Sequence, residues 1–147
     1  MHAFQAQNAT MTLAEGLAEY FDSYPTLKRG DSLSAPARQF FQCHDVAHVI
    51  FGCDTSLTQE AVVKLSSLFG TTAGLSVLRG YALHDSQDIY RTLKAGDIFA
   101  TVLAAFTFVP QTLARRIRQK RRWPWSDFSP FLDRPLCDIR SEFGIQV

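Results

Sequence analysis

The stretch from Ser34 to Gly70 constrains this chain most, because two sets of helix start and stop signals there enclose apolar residues at helical spacing. Ser34 with Pro36 reads as a helix start, since proline is tolerated in a first turn where its missing N–H has no intrahelical role. The pattern runs through Phe40, Phe41, His44, His48 and Val49 to Phe51, and Gly52 fits a C-terminal cap. The next helix starts near Ser56, whose spacing from Gln59 predicts a capping box. It carries Ala61, Val62, Leu65 and Leu68 inward and stops at Gly70. Antiparallel packing across so short a turn would return the first turn of the second helix to the end of the first.

Similar signals extend along the chain. Thr12 and Glu15 form a capping box ahead of a helix from Leu13 to Phe21, and Ser23 to Ser32 reads as loop. A fourth helix is expected over Thr71 to Asp88, weakened by Gly74 and Gly80. A longer fifth is expected over Ala95 to Arg122, kinked or broken by Pro110. After Pro124 the chain turns irregular, and a last short helix covers Leu136 to Phe143, stopped by Gly144. No alternating strand pattern is present. The class is therefore all-α, a compact bundle of five to six helices forming a single domain over residues 1–147.

Composition sorts the function classes. A charged share of 20% and a hydrophobic share of 46% are globular, not disordered. Twelve Phe point to a large core, an apolar ligand pocket or a docking surface, and core is the plainest of the three. Three cysteines, Cys43, Cys53 and Cys137, do not look like a disulfide framework and fit a reducing compartment. The first Lys or Arg is Lys28, and no signal or transit pattern precedes it, which favours a bacterial cytosolic or already processed chain. The longest apolar run, Ile98 to Val109, is about half of what a helix needs to cross a bilayer. A small bundle with surplus apolar surface also allows a homodimer.

The chemistry-bearing run is Cys43-His44-Asp45-Val46-Ala47-His48, followed by Glu60. His44 and His48 share a helix face one turn apart, so two imidazoles can hold one metal ion. Asp45, rotated by about 100°, either reaches the ion from the helix edge or orients an imidazole. The hairpin brings Glu60 back beside the pair. Two neutral imidazoles and two carboxylates neutralise a divalent cation and leave coordination positions open. Such a cation could hold a substrate carboxylate and phenolate, with Glu60 or Asp45 moving protons if not bound to it. The plainer alternative is a packed histidine pair beside a solvated Glu. A second group, His84, Asp85 and Asp88, has helical spacing but no matching Glu, and reads as surface or supporting.

Arg115, Arg116, Arg118, Lys120, Arg121 and Arg122 run into Trp123 and Trp125. Basic residues beside interfacial aromatics resemble a patch for an anionic membrane surface. A solvated helix end complementing the dipole is the alternative. Single-stranded nucleic acid is the rival, but the net charge of +1 supplies no global field and no nucleic-acid partner is expected.

His44-Asp45-x-x-His48, Gly52 and Glu60 resemble the metal motif of the Coq-four family of ubiquinone (coenzyme Q) biosynthesis. The segment Trp123, Trp125 and Leu136-Cys-Asp-Ile-Arg140-Ser-Glu-Phe-Gly144-Ile resembles that family's C-terminal segment. Together they frame roughly residues 34–147, while Thr71 to Pro110 matches only as helical texture. The resemblance implies an all-helical protein, peripheral to a membrane and linked to isoprenoid lipids. It implies oxidative decarboxylation of a polyprenyl-hydroxybenzoate-type precursor, whose ring carbon loses its carboxylate and gains a hydroxyl. A non-catalytic isoprenoid-lipid-binding or organising role is the alternative. His44, Asp45, His48 and Glu60 would be both metal ligands and catalytic residues. The cofactor would be a divalent metal: zinc, or a redox metal such as iron, manganese, cobalt or copper. The expected location is the bacterial cytoplasm at the inner membrane, or the mitochondrial inner membrane in a eukaryote. The tail of the prenylated aromatic substrate would need an apolar path, for which Phe40, Phe41, Phe51, Phe69, Phe99, Phe106 and Phe108 are candidates.

Overall fold

The computed structural model describes residues 1–25, 27, 34–81 and 107–147. The expected second group of His84, Asp85 and Asp88, with Phe99 and Phe106, lies outside them. Among the described residues the chain is all-α: α1 (Leu13–Ser23), α2 (Ala35–Phe51), α3 (Leu57–Gly70), α4 (Val77–Tyr81), α5 (107–117) and α6 (Leu136–Phe143). Two isolated bridges, Thr12 with Pro135 and Thr71 with Trp123, are the extended pairings among these residues. No helix among them is long and apolar enough to cross a membrane.

The second half of α2 is the axis of the fold. Every residue from Cys43 to Phe51 is buried, so this helix must be covered on all sides by other elements. α1 packs on one side, where Gly16 permits a close crossing: a Cβ there would lie 2.9 Å from Val49 Cγ1 and 3.1 Å from Leu136 Cδ1. α3 packs on another, and α6 with Trp123 closes the core around Phe4, Leu13, Ile50, Leu136, Ile139 and Phe143. The local signals for α1 and α2 act as read. Thr12 caps α1 through the Glu15 backbone N–H while Glu15 returns to the Thr12 N–H at 2.7 Å. Ser34 caps α2, and Gly52 ends it in the left-handed conformation at φ 67°.

Four local expectations are corrected. Ser56 begins α3 without a side-chain capping bond; Asp54 organises the turn by accepting from the Ser56 N–H at 2.9 Å. The buried face of α3 is Val63, Ser66, Ser67 and Gly70, whereas Ala61, Val62, Leu65 and Leu68 are half-buried. Small side chains let α3 approach closely, and Gly70 leaves room for the Phe51 ring. The segment after Gly70 is not helical at once: Thr71 pairs with Trp123, and α4 starts only at Val77 after a short 3-10 turn. α5 includes Pro110 and ends at residue 117, not at Arg122. Beyond it the backbone N–H groups of Lys120 and Arg121 donate to the Phe143 carbonyl instead of continuing a helix.

Candidate metal centre

His44 and His48 lie one turn apart on the buried half of α2, with ring centroids 4.7 Å apart and planes at 81°. The turn from Gly52 to Ser56 reverses the chain, and Glu60 occupies the first turn of α3. Its carboxylate spans both rings: Oε1 is 3.1 Å from His48 Nε2 and Oε2 is 3.5 Å from His44 Nε2. The two Nε2 atoms are 3.2 Å apart. Donors around a tetrahedral ion at about 2.0 Å would stand about 3.3 Å from one another. The three separations, two of which run to different oxygens of the Glu60 carboxylate, lie around that value, and the cluster could hold an ion.

The proton arrangement points the same way. His48 Nδ1 is 3.3 Å from the Cys53 carbonyl oxygen, which can only accept. Nδ1 therefore carries the proton, and in the neutral ring Nε2 is a bare lone pair. That lone pair faces the Glu60 carboxylate, an acceptor facing an acceptor, and a cation or proton between them relieves the repulsion. With a proton on the facing ring nitrogens, the bonds from His44 and His48 outweigh burial, which by itself would raise the Glu60 carboxyl, and hold the group well below the ordinary carboxylate range. Burial lowers the His44 imidazole, keeping it neutral and ligand-ready, although Glu60 pulls in the other direction.

Aromatic rings fix both imidazoles. Tyr20 stacks on His48 at 5.3 Å and Phe40 stacks on His44 at 5.9 Å. Trp125 in turn lies 5.9 Å from Phe40. Gly80 lies close against the Phe40 ring, which any added Cβ would overlap.

The expected set of four is thus brought together as three. Asp45 is buried on α2 but stands outside the cluster of His44, His48 and Glu60. The Tyr20 hydroxyl is held protonated first by burial and then by the charges of Asp45 and Glu60. Both nearby thiols are buried outside the cluster, and burial pushes Cys43 up to about 11 and Cys53 to about 12. What Cys53 supplies is its backbone carbonyl, a contribution no side-chain motif announces.

The aromatic and basic expectations divide as well. Trp123 is fully buried against Phe131 and Phe143, which corrects its reading as an interfacial aromatic. Arg116 is also buried, its guanidinium 4.5 Å over the Phe51 ring and donating to the Gln146 carbonyl. Arg115, Arg118, Lys120, Arg121 and Arg122 remain exposed. Phe40 alone of the Phe candidates stacks on a ligand ring among the described residues. Phe51 and Phe108 instead line a separate 450 Å³ cavity with Gln5, Gln7, Gly52 and Thr112.

Arg140 had no role in the sequence reading beyond its place in a motif. It is a fully buried guanidinium donating to four carbonyls, those of Phe4, Ala6, Val49 and Ile50, at 2.6–3.0 Å. It thereby clasps the end of α2, next to His48, to the N-terminal segment.

Neither a family model, nor a curated protein, nor a solved structure matches the chain.

Proposed function

We propose that this chain is a metal-dependent enzyme of quinone biosynthesis that acts on a prenylated aromatic acid. The observation that carries the metal part is the convergence of His44, His48 and Glu60 at separations of 3.1–3.5 Å, suited to one ion. The substrate class rests on the resemblance of this motif and of the Trp123 to Ile145 segment to the Coq-four family. The reaction proposed is oxidative decarboxylation of a polyprenyl-hydroxybenzoate-type ring, in which the ring carbon loses its carboxylate as carbon dioxide and gains a hydroxyl, while molecular oxygen takes up the two electrons released and leaves as hydrogen peroxide.

Two His and one carboxylate match the donor set of non-haem iron oxygenases, which keep positions open for substrate and oxygen. An ion held there supplies Lewis-acid stabilisation of negative charge and, if it is iron, manganese, cobalt or copper, redox capacity; zinc suits the donors but lacks the latter. With Glu60 engaged at the cluster, Asp45 would be the carboxylate left to move a proton. Tyr20, Phe40 and Trp125 keep the imidazoles fixed and limit water around them.

The test is elemental analysis of the purified protein beside His48→Ala and Glu60→Ala, followed by assay of carbon dioxide release from a prenylated hydroxybenzoate. About one metal per chain is expected, lost in both variants together with turnover. Absence of metal from the wild type after reconstitution would sink the proposal.

A second reading is a non-catalytic isoprenoid-lipid-binding or organising protein held at a membrane surface. It is favoured by a 510 Å³ groove in which Phe69 and Ile117 stand beside Lys120, Arg121 and Arg122. Ile117 is 83% exposed and Phe69 46%, a combination that fits acyl chains beside anionic headgroups. On this reading Glu60→Gln retains cellular function while charge reversal at Arg121 and Arg122 abolishes it. A homodimer through the same exposed apolar residues would show in sedimentation velocity.

A further inference from the structure

The 450 Å³ cavity beside the end of α2 is built by three helices. Phe51, Gly52 and Cys53 at the end of α2 form one wall, and Gln59 and Val62 of α3 form a second. The third is a single face of α5, because Phe108, Gln111, Thr112 and Arg115 recur there at helical spacing. Ligand sites commonly enclose about 300 to 1,000 Å³ and combine an apolar body with a few convergent polar groups. Here Phe51, Val62 and Phe108 supply the apolar body.

The polar groups sort into engaged and free. The amides of Gln5 and Gln7 donate to the carbonyls of Gly52 and Ile145 and so belong to the wall. The side chains of Gln59, Gln111, Thr112 and Arg115 make no hydrogen bond or ion pair among the described residues. Thr112 is only 4% exposed, yet its hydroxyl is not one of the enclosed polar atoms that lack a partner. A partnerless hydroxyl that is not enclosed opens onto space, and the space this residue lines is the cavity. Gln111 and Arg115 stand exposed one turn apart at its rim. All four free groups can donate, and Arg115 can only donate. No Asp or Glu side chain is among the described residues that line the cavity. The complement is an apolar ring carrying acceptor oxygens and negative charge. We infer that the cavity binds a small aromatic acid, its ring against Phe51 and Phe108 and its carboxylate held by Gln111, Thr112 and Arg115. The site is separate from the metal centre and stands whether or not His44, His48 and Glu60 hold an ion.

The test titrates the full chain with 2-naphthoate and, separately, with its neutral amide in a calorimeter, and locates the bound naphthoate from backbone amide shifts. Wild type should bind naphthoate saturably with a Kd below about 1 mM, and the largest shifts should fall at Gly52, Val62 and Thr112. Arg115→Gln, a change at an exposed position, should weaken naphthoate about fivefold or more and leave the amide within about twofold. Thr112→Val keeps the side-chain shape, removes the hydroxyl and should weaken naphthoate about threefold or more. Ile117→Ser, in the other groove, and chelated wild type should both bind naphthoate as untreated wild type does. Absence of saturable binding, or unchanged naphthoate affinity in either Arg115→Gln or Thr112→Val, would overturn the inference. A loss in Ile117→Ser as large as that in Arg115→Gln would also overturn it, by placing the acid on the exposed groove. Loss of binding on chelation would do the same, by placing the acid at the metal centre.

Discussion

Arg140→Met should destabilise the fold by about 3 to 5 kcal/mol, and the structure shows where that figure comes from. Four carbonyls lose a charged donor. Two of them retain backbone partners, since the Ala9 N–H donates to Ala6 at 3.1 Å and the Gly52 N–H to Val49 at 3.2 Å. Among the described residues the carbonyls of Phe4 and Ile50 accept from no other backbone N–H, and each buried orphan acceptor costs about 1 to 3 kcal/mol. Methionine recovers part of this by removing a charge whose burial is costly enough to lower the guanidinium to about 10. The remaining loss is a large share of the roughly 5 to 15 kcal/mol of a typical domain. Urea unfolding, followed by far-UV circular dichroism, measures it directly. Arg140→Lys should fall between wild type and Met, because one ammonium cannot reach carbonyls on both sides of the core. A loss below about 1 kcal/mol for Arg140→Met would refute the assignment of Arg140 as the clasp on the end of α2.

Three other outcomes are expected. In metal-free protein, His44 is lowered from 6.5 and Glu60 from 4.5, so both contribute stability above those values that is lost as pH falls. Unfolding midpoints should be flat from pH 6.5 up to the range near 9 where the unfolded thiols begin to ionise, decline below 6.5 as His44 protonates, and decline further below pH 4.5; a midpoint that rises on acidification from pH 6.5 would contradict this. Gly52→Ala should cost about 1 to 2 kcal/mol from the left-handed backbone alone, and its Cβ would stand 2.9 Å from Val147 Cβ. It should also weaken metal binding by shifting the Cys53 carbonyl, which isothermal titration with zinc would detect. Finally, chelation should strip the metal with little loss of helical signal, because the core around Phe4, Ile50 and Phe143 does not depend on the cluster; full unfolding would make the metal structural instead.

Much of the site was legible because it is built from short-range rules. Ser34, Pro36 and Gly52 bound α2 through backbone capping, and those signals act within one turn. The spacing of His44 and His48 places them on one face of any helix, and the short turn returns Glu60 to them. Asp45 was not decidable in the same way. A residue rotated away from the ligand face joins or leaves a site according to what packs beside it, and here it is buried outside the cluster.

What the sequence by itself determined, then, is the all-α class, the ends of α1 and α2, and the His-His-Glu hairpin, because each follows from hydrogen bonds and side-chain directions within a few residues. Only the tertiary structure decided which polar and aromatic groups go inside. Trp123 and Arg116 read as an exposed membrane patch along the chain, yet both are buried where α5, α6 and the end of α2 meet. Arg140 finds its four acceptors from the N-terminal segment and α2, far from it in sequence. The close-packed face of α3 is set by Ser66, Ser67 and Gly70, not by its larger apolar residues. Burial depends on which surfaces meet, and contacts between residues 90 and 136 positions apart leave no local pattern to read.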